Sequence, residues 1–232
     1  MYTLYIGNKN YSSWSLRAWI LMRELGIAFN ERLVPFNVSD YPSFASFSPS
    51  AKVPCVHDGA TRVWDTLAIT EYLAEKHPGV WPEDRMARAW ARCVAAEMHS
   101  GFTALRNTCS MSAGIRVQLH SHPPELRKDL ERIAVIFSDG LHRFRGPFLA
   151  GERFTAADAF YCPVAFRVQT YGLELPPVAM KYVQRLLALE GMREWYEAAL
   201  RETWRDAPHE EEIQLAGRIV EDLRIQAVAQ PA

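Results

Sequence analysis

The stretch Lys52-Val53-Pro54-Cys55-Val56-His57-Asp58-Gly59, continued by Trp64-Asp65-Thr66-Leu67-Ala68-Ile69-Thr70-Glu71-Tyr72, restricts the fold more than any other part of the chain. A proline forces the residue before it into extended backbone. Val53 therefore cannot sit in a helix, and its N–H and C=O stay free to pair elsewhere. An X-Pro bond is also the one place where a cis peptide is cheap, and a cis Val53-Pro54 bond is the expectation. Asp58-Gly59 reads as a turn between two short strands. Asp65-Thr66 opens a helix, where an oxygen-bearing side chain normally caps the orphan amides. On these residues alone, capping accounts for the pair.

A chain of 232 residues allows one or two domains with a sizeable core, and 49% hydrophobic residues mark it as globular. The formal net charge of -1 leaves no electrostatic footprint for nucleic acid or an anionic membrane, so a small anionic ligand needs a local site. Cys55, Cys93, Cys109 and Cys162 are scattered, with no CxxC or ligand-spaced cluster, which points to reduced thiols and no metal. No apolar run reaches the roughly 18 residues of a membrane span. The N-terminus reads straight into a strand without a signal peptide. The expectation is a soluble, cytoplasmic protein.

Residues 3–6 alternate as a strand, and Gly7-Asn8-Lys9-Asn10 is turn chemistry. Leu16, Trp19, Ile20, Met22 and Arg23 then keep helical spacing, with Ser12 or Ser13 as cap and Gly26 as stop. A second strand is expected over 30–36, followed by an irregular loop over 37–51 in which Tyr41, Phe44 and Phe47 need something to pack on. Two strands flank Asp58-Gly59, and a helix runs over 66–76. The order βαβ-ββα is that of a thioredoxin-like domain, residues 1–80. His77-Pro78-Gly79 ends the last helix and Trp81-Pro82 forms a linker. Beyond it helices are expected over 86–109, 124–144, 156–171, 178–189 and 192–205 with no strand, giving an all-helical second domain over 86–205. The tail, 206–232, keeps helical spacing at Ile213, Ala216, Val220 and Leu223, and reads equally as a docked helix or a frayed end.

Tyr11-Ser12-Ser13-Trp14-Ser15-Leu16-Arg17 lies where the first strand meets the first helix. Serines there are caps by default. Taken with the Val-Pro, the turn and the acid-hydroxyl helix start, however, the chain resembles the glutathione transferase family, and this motif resembles its zeta-type Ser-Ser-Cys-Ser signature. The resemblance implies a homodimer and a site for glutathione. The backbone of Val53, ahead of a cis Pro54, pairs with the cysteinyl unit, and Asp65 and Thr66 hold the γ-glutamyl end. Ser12 hydrogen-bonds the sulfur with Ser13 as its neighbour. Lys52 either reaches the glycyl carboxylate or is one more solvated lysine. Trp14 stands where the zeta motif has cysteine, which removes a thiol and with it mixed-disulfide chemistry. Thr155-Ala156-Ala157-Asp158 matches the family's structural helix-start box and fits a capping box on its own terms.

In the second domain, the helix bearing Glu97-Met98-His99-Ser100-Gly101-Phe102 and Arg106-Asn107 is expected to line the electrophile pocket. Arg106 and Asn107 align with the family's substrate-side polar pair, and Gly101 allows a bend. Met98 and Phe102 read as core, Cys109 as a buried inert thiol, and His99 as a candidate whose partner the sequence does not supply.

A free thiol ionises near pH 8.5, and both a helix N-terminus and a hydroxyl donor favour its anion. Three functions follow from the resemblance. The first is conjugation of glutathione to a small electrophile. The second is cis-trans isomerisation of a maleyl dicarboxylate, which needs cations. The zeta-type arginine for this purpose aligns with Thr170, while Arg167 lies one turn earlier on a similar face. The third is a non-catalytic glutathione-binding protein. The presence of Ser12 together with Val53, Asp65 and Thr66 argues against the third, since a binding module has no need of a sulfur donor.

Overall fold

Tyr2, Leu4 and Ile6 alternate with half-exposed residues, and this period of two builds β1 (Tyr2–Ile6) with one face toward the core. The computed structural model describes residues 1–225. The part of the tail expectation that concerns 226–232 lies outside the described residues. After β1 come α1 (Ser13–Glu24) and β2 (Phe29–Leu33), which lies parallel to β1 with Leu4 opposite Glu31. β3 (Cys55–Asp58) runs antiparallel to β1, β4 (Thr61–Trp64) closes a hairpin on it, and α2 (Thr66–Ala74) follows. Gly59 takes φ +60 in the hairpin turn, a conformation that favours glycine. The sheet order is β2-β1-β3-β4, which realises the expected βαβ-ββα, and the Val53-Pro54 bond is cis.

The helical half comprises α3 (Arg85–Ser100), α4 (Thr103–Thr108), α5 (Pro124–Phe144), α6 (Ala156–Tyr171), α7 (Pro177–Leu187), α8 (Glu190–Leu200) and α9 (Ala207–Ala216). α6 is apolar nearly all round because it is central, packed between α1 of the sheet half and α3 and α7 of its own. Its start is fixed by Asp158, fully buried, which accepts from the amides of Thr155 and Leu149 and from the hydroxyl of Tyr182. The capping box is as the sequence anticipates, and Asp158 is structural.

Three expectations are corrected. The helix over 86–109 breaks in two, because Gly101 leaves the helical region and Phe102 adopts φ +57. A Cβ on Gly101 would stand 2.8 Å from the Glu97 carbonyl oxygen, so the break needs glycine. Second, the helical half contains strands. β5 (Ile115–Leu119) pairs antiparallel with β6 (Gly217–Asp222), so Leu119 faces Gly217 and Ile115 faces Asp222. Third, the tail is helical only as far as Ala216, and its continuation is β6 rather than more helix. Of the loop aromatics, Phe47 stacks on Tyr5 at 4.4 Å, Phe44 packs on Phe36 and Phe47, and Tyr41 meets the edge of Trp204.

Candidate functional site

The turn between β1 and α1 carries the serines, and the helical half holds it in place. The buried Glu202 carboxylate accepts from the amides of Lys9 and Asn10 and from the Asn10 side chain, which also donates to the Ala199 carbonyl. Burial raises the Glu202 pKa, and these hydrogen bonds act against the rise. Ser12 is the N-cap of α1. Its oxygen accepts from the Ser15 amide at 3.3 Å, and its hydroxyl donates to the Ser15 oxygen at 2.7 Å. Of the two serines expected as cap, Ser12 takes the role. The Ser15 amide is taken by Ser12, and the Ser13 hydroxyl has no partner among the described residues.

Val53 makes no main-chain hydrogen bond among the described residues. Pro54 is buried behind it, and Lys52 is exposed. Asp65 has φ +71, a left-handed conformation that costs a non-glycine residue about 1–2 kcal/mol. Its carboxylate caps α2 through the Leu67 amide at 2.9 Å and turns its second oxygen to within 3.6 Å of His99 Nε2. Asp65 is thus the partner that the sequence did not supply for His99. Burial lowers the His99 pKa, Asp65 opposes the shift, and Arg17 and Arg106 add to it. Thr66 is buried with its hydroxyl unpartnered.

A cavity of about 440 Å³ joins these elements. One wall carries Ser12, Ser13, Trp14, Lys52 and Val53, and the opposite wall, from the helical half, carries Arg106, Ser110, Met111 and Arg167. Six of the residues singled out by sequence therefore meet: Ser12, Ser13, Lys52, Val53, Arg106 and Arg167. Asp65, Thr66 and His99 form an adjoining cluster just outside the lining. Asn107 is exposed and stands apart. Neighbouring helical positions diverge by about 100°, so α4 presents Arg106 to the cavity and Asn107 to solvent. Thr170, at the zeta-type arginine position, is buried with its hydroxyl on the Ser112 carbonyl. Cys109 is buried, and desolvation pushes its thiol up to about 12.

Two sets of residues escaped the sequence reading. The first belongs to the tail. The His209 ring stacks on Tyr11 at 5.1 Å and Phe36 at 5.5 Å at the cavity rim, with Nδ1 hydrogen-bonded to the buried Asp206 carboxylate. Tyr11 donates its hydroxyl to Glu210 at 2.6 Å and accepts from Arg224, and burial foremost raises its pKa, so this phenol is committed to the tail. The second is Arg17, which is 1% exposed with Nε and Nη1 unpartnered. Its guanidinium carbon lies 4.2 Å from the centre of the Trp14 ring, and that of Arg106 lies 4.9 Å from it. Contacts of this kind contribute about 0.5–2 kcal/mol, against an effective penalty of several kcal/mol for burying an unpaired charge. Burial, then the neighbouring charges of Arg106 and Arg167, hold the Arg17 pKa well below its usual value.

The chemistry assembled here is a helix N-terminus with two hydroxyls facing unpaired extended backbone, with an acid-hydroxyl pair alongside. Two family models match the chain: "Glutathione S-transferase, N-terminal domain" over residues 11–76 and "Glutathione S-transferase, C-terminal domain" over residues 84–198. Among curated proteins, a stringent starvation protein A homolog from Coxiella burnetii is 25% identical over 205 residues, covering 87% of this chain and 92% of the relative. Maleylacetoacetate isomerase from Rattus norvegicus is 24% identical over 200 residues, covering 82% of this chain and 89% of the relative. A solved glutathione transferase homolog from Burkholderia, with bound glutathione, superposes with a TM-score of 0.63 at 23% identity, covering 85% of this chain and 97% of that one. Motif, topology and both family models agree over the two halves, and the chain belongs to the glutathione S-transferase family.

Proposed function

We propose that the protein is a glutathione transferase that holds glutathione against the sheet half and presents its thiolate to a small electrophile entering from the helical half. The observation that carries this reading is one cavity with the serines at the start of α1 on the same wall as the unpaired main chain of Val53. An extended peptide unit laid along Val53 gains the strand-like hydrogen bonds that residue lacks. The sulfur of its cysteinyl unit then lies at the positive end of α1. The Asp65 carboxylate receives the γ-glutamyl ammonium, the unpartnered Thr66 hydroxyl receives the adjoining carboxylate, and Lys52 neutralises the glycyl end.

Ser12 is assigned as the sulfur donor. Its hydroxyl proton turns from Ser15 to the thiolate while its oxygen keeps the Ser15 amide, since a hydroxyl accepts on its lone pairs and donates independently. Ser13 is the competing donor because its hydroxyl is free. In the conjugation step the thiol proton leaves to solvent, the sulfur forms a bond to the electrophilic carbon, and the leaving group departs with its electron pair.

Isomerisation of a maleyl dicarboxylate is the second reading, favoured by one observation: Arg167 lines the cavity although Thr170 does not. Two measurements test the proposal. Saturating glutathione, at a hundred times its dissociation constant, should stabilise the fold by about 2.7 kcal/mol, seen as a raised melting temperature. An aryl halide should be turned over with glutathione, and a maleylacetone assay separates the two readings. An unmoved melting temperature contradicts the proposal.

A further inference from the structure

A thiol that becomes a thiolate in the cavity must hand its proton to something. Among the described residues that line the cavity there is no carboxylate and no thiol. The Tyr11 phenol donates to Glu210, and burial foremost raises its pKa. Lys52, Arg106 and Arg167 present cations, which accept no proton. Among these lining side chains, the one that offers a basic nitrogen lone pair is His209, at the rim.

His209 is held as a base must be held. Its Nδ1 meets the carboxylate of Asp206, which is 3% exposed and accepts from the Asn37 side chain at 2.7 Å through its other oxygen. A carboxylate at Nδ1 keeps the neutral ring's proton there and leaves the lone pair on Nε2, and it steadies the imidazolium once Nε2 is protonated. Nε2 has no hydrogen-bond partner among the described residues. The ring is clamped between Tyr11 and Phe36, nearly parallel to both at interplanar angles of 23° and 21°. Tyr11 immediately precedes Ser12, so the imidazole stacks on the same turn that carries the sulfur donor. Glu210, one residue further along α9, is committed to Tyr11 and Arg224. The tail supplies this pair, and the sequence motifs that mark the family include neither residue.

We infer that His209 is a catalytic base: its Nε2 takes the proton of the glutathione thiol, directly or through one water, and Asp206 is the positioning residue that holds the ring for this task. The inference rests on the transferase reading and names the proton acceptor of its first step. The S–H bond breaks, its electron pair stays on sulfur, and the proton passes to Nε2, leaving a thiolate and an imidazolium whose Nδ1–H stays on Asp206. The sulfur then bonds to the electrophilic carbon and the leaving group departs with its electron pair. Nε2 afterwards releases its proton to solvent, so the ring is neutral again for the next glutathione. Ser12 and His209 divide the work, the hydroxyl stabilising the anion and the imidazole receiving what the thiol gives up.

The test counts protons. Glutathione is mixed with the parent and with His209→Phe in weakly buffered solution containing a pH-indicator dye, and thiolate absorbance is read beside proton release. Phenylalanine keeps the stack between Tyr11 and Phe36 and removes the base, so it separates chemistry from packing. The parent should release well under one proton per thiolate formed, because Nε2 retains it, and His209→Phe should release close to one. Turnover of 1-chloro-2,4-dinitrobenzene should fall about a hundredfold in His209→Phe, the lower end of what a positioned base contributes, while the Kd for glutathione holds. In His209→Ala, which leaves room for a ring, added imidazole should restore part of the turnover and should do nothing for the parent. Asp206→Asn, with folding checked by the melting transition, should raise the proton count toward one without weakening glutathione binding. A full proton released per thiolate by the parent, a folded His209→Phe that keeps the parent's turnover, or a loss that falls on glutathione affinity instead would each overturn the inference. Glutathione that does not bind the parent at all would sink the transferase reading and this inference with it, a result distinct from binding with full proton release.

Discussion

Asp65 combines three constraints in one residue: a left-handed backbone, a cap on α2 and a carboxylate oxygen 3.6 Å from His99 Nε2 across the two halves of the molecule. A cap needs only the second, and Asp, Asn, Ser or Thr would serve. The strained backbone at the cavity edge points to a task beyond capping. Asp65→Ala should therefore weaken glutathione binding about tenfold or more, as expected for loss of a charged hydrogen bond. Turnover of bound glutathione should change little, because the γ-glutamyl ammonium lies far from the reacting sulfur. A mutant that loses stability but keeps its affinity by calorimetry would reduce Asp65 to a cap. Asp158 is the contrasting carboxylate. Its removal orphans two buried amides and the Tyr182 hydroxyl, each costing about 1–3 kcal/mol. Asp158→Ala should lower the unfolding free energy by about 3 kcal/mol or more in a denaturant titration, with no selective effect on glutathione.

Among the elements, those with one strong local signal were legible in sequence. The alternation of β1, the proline before β3, the Asp-Gly hairpin, the proline and glycine bounds of α5 and the capping box of α6 were all read from nearby residues. Elements defined by a distant partner were harder. Ile115-Arg116-Val117-Gln118-Leu119 alternates, yet it becomes a strand only because Gly217 to Asp222 returns to pair with it across about a hundred residues of chain. The tail's helical spacing is overridden at Gly217, where a Cβ would meet the Gln118 carbonyl oxygen at 2.3 Å. Arg224 locks this strap to Glu210, Asp222 and Tyr11. Burial works to raise the pKa values of Glu210 and Asp222, but the hydrogen bonds and charge of Arg224 outweigh it and leave both lowered. Because both carboxyls are held below their ordinary range, the stabilisation is fully present above that range and is lost as pH falls through the lower folded values. Amide resonances of β5 and β6 should thus lose their native shifts in acid, below about pH 4, before those of α6 do. Simultaneous loss would show that the strap is no weaker than the core.

For the whole molecule, two halves meet at the turn between β1 and α1, where Glu202 of one grips Lys9 and Asn10 of the other. The cavity wall that carries Ser12 and Val53 was legible because it is set by local backbone chemistry, the helix start after β1 and the proline before β3. The opposite wall was half legible. Arg106 was named from the family's substrate-side polar pair and Arg167 from its place one turn before the zeta-type arginine position, but the break at Gly101 that aims Arg106, and the isolation of Arg17, depend on packing. On the proposed function, this wall-to-wall cavity binds glutathione and lowers the pKa of its thiol. The most direct measurement is the thiolate absorbance of enzyme-bound glutathione against pH, in the parent, Ser12→Ala and Ser13→Ala. Free thiol titrates near 8.5, and the bound thiol should titrate below it. A hydrogen bond to a charged group is worth about 1.5–3 kcal/mol, so Ser12→Ala should return the bound thiol upward by roughly one to two units. Ser13→Ala should titrate like the parent. A shift in Ser13→Ala alone would move the donor by one residue, and bound glutathione that titrates like the free thiol in all three proteins would contradict the account.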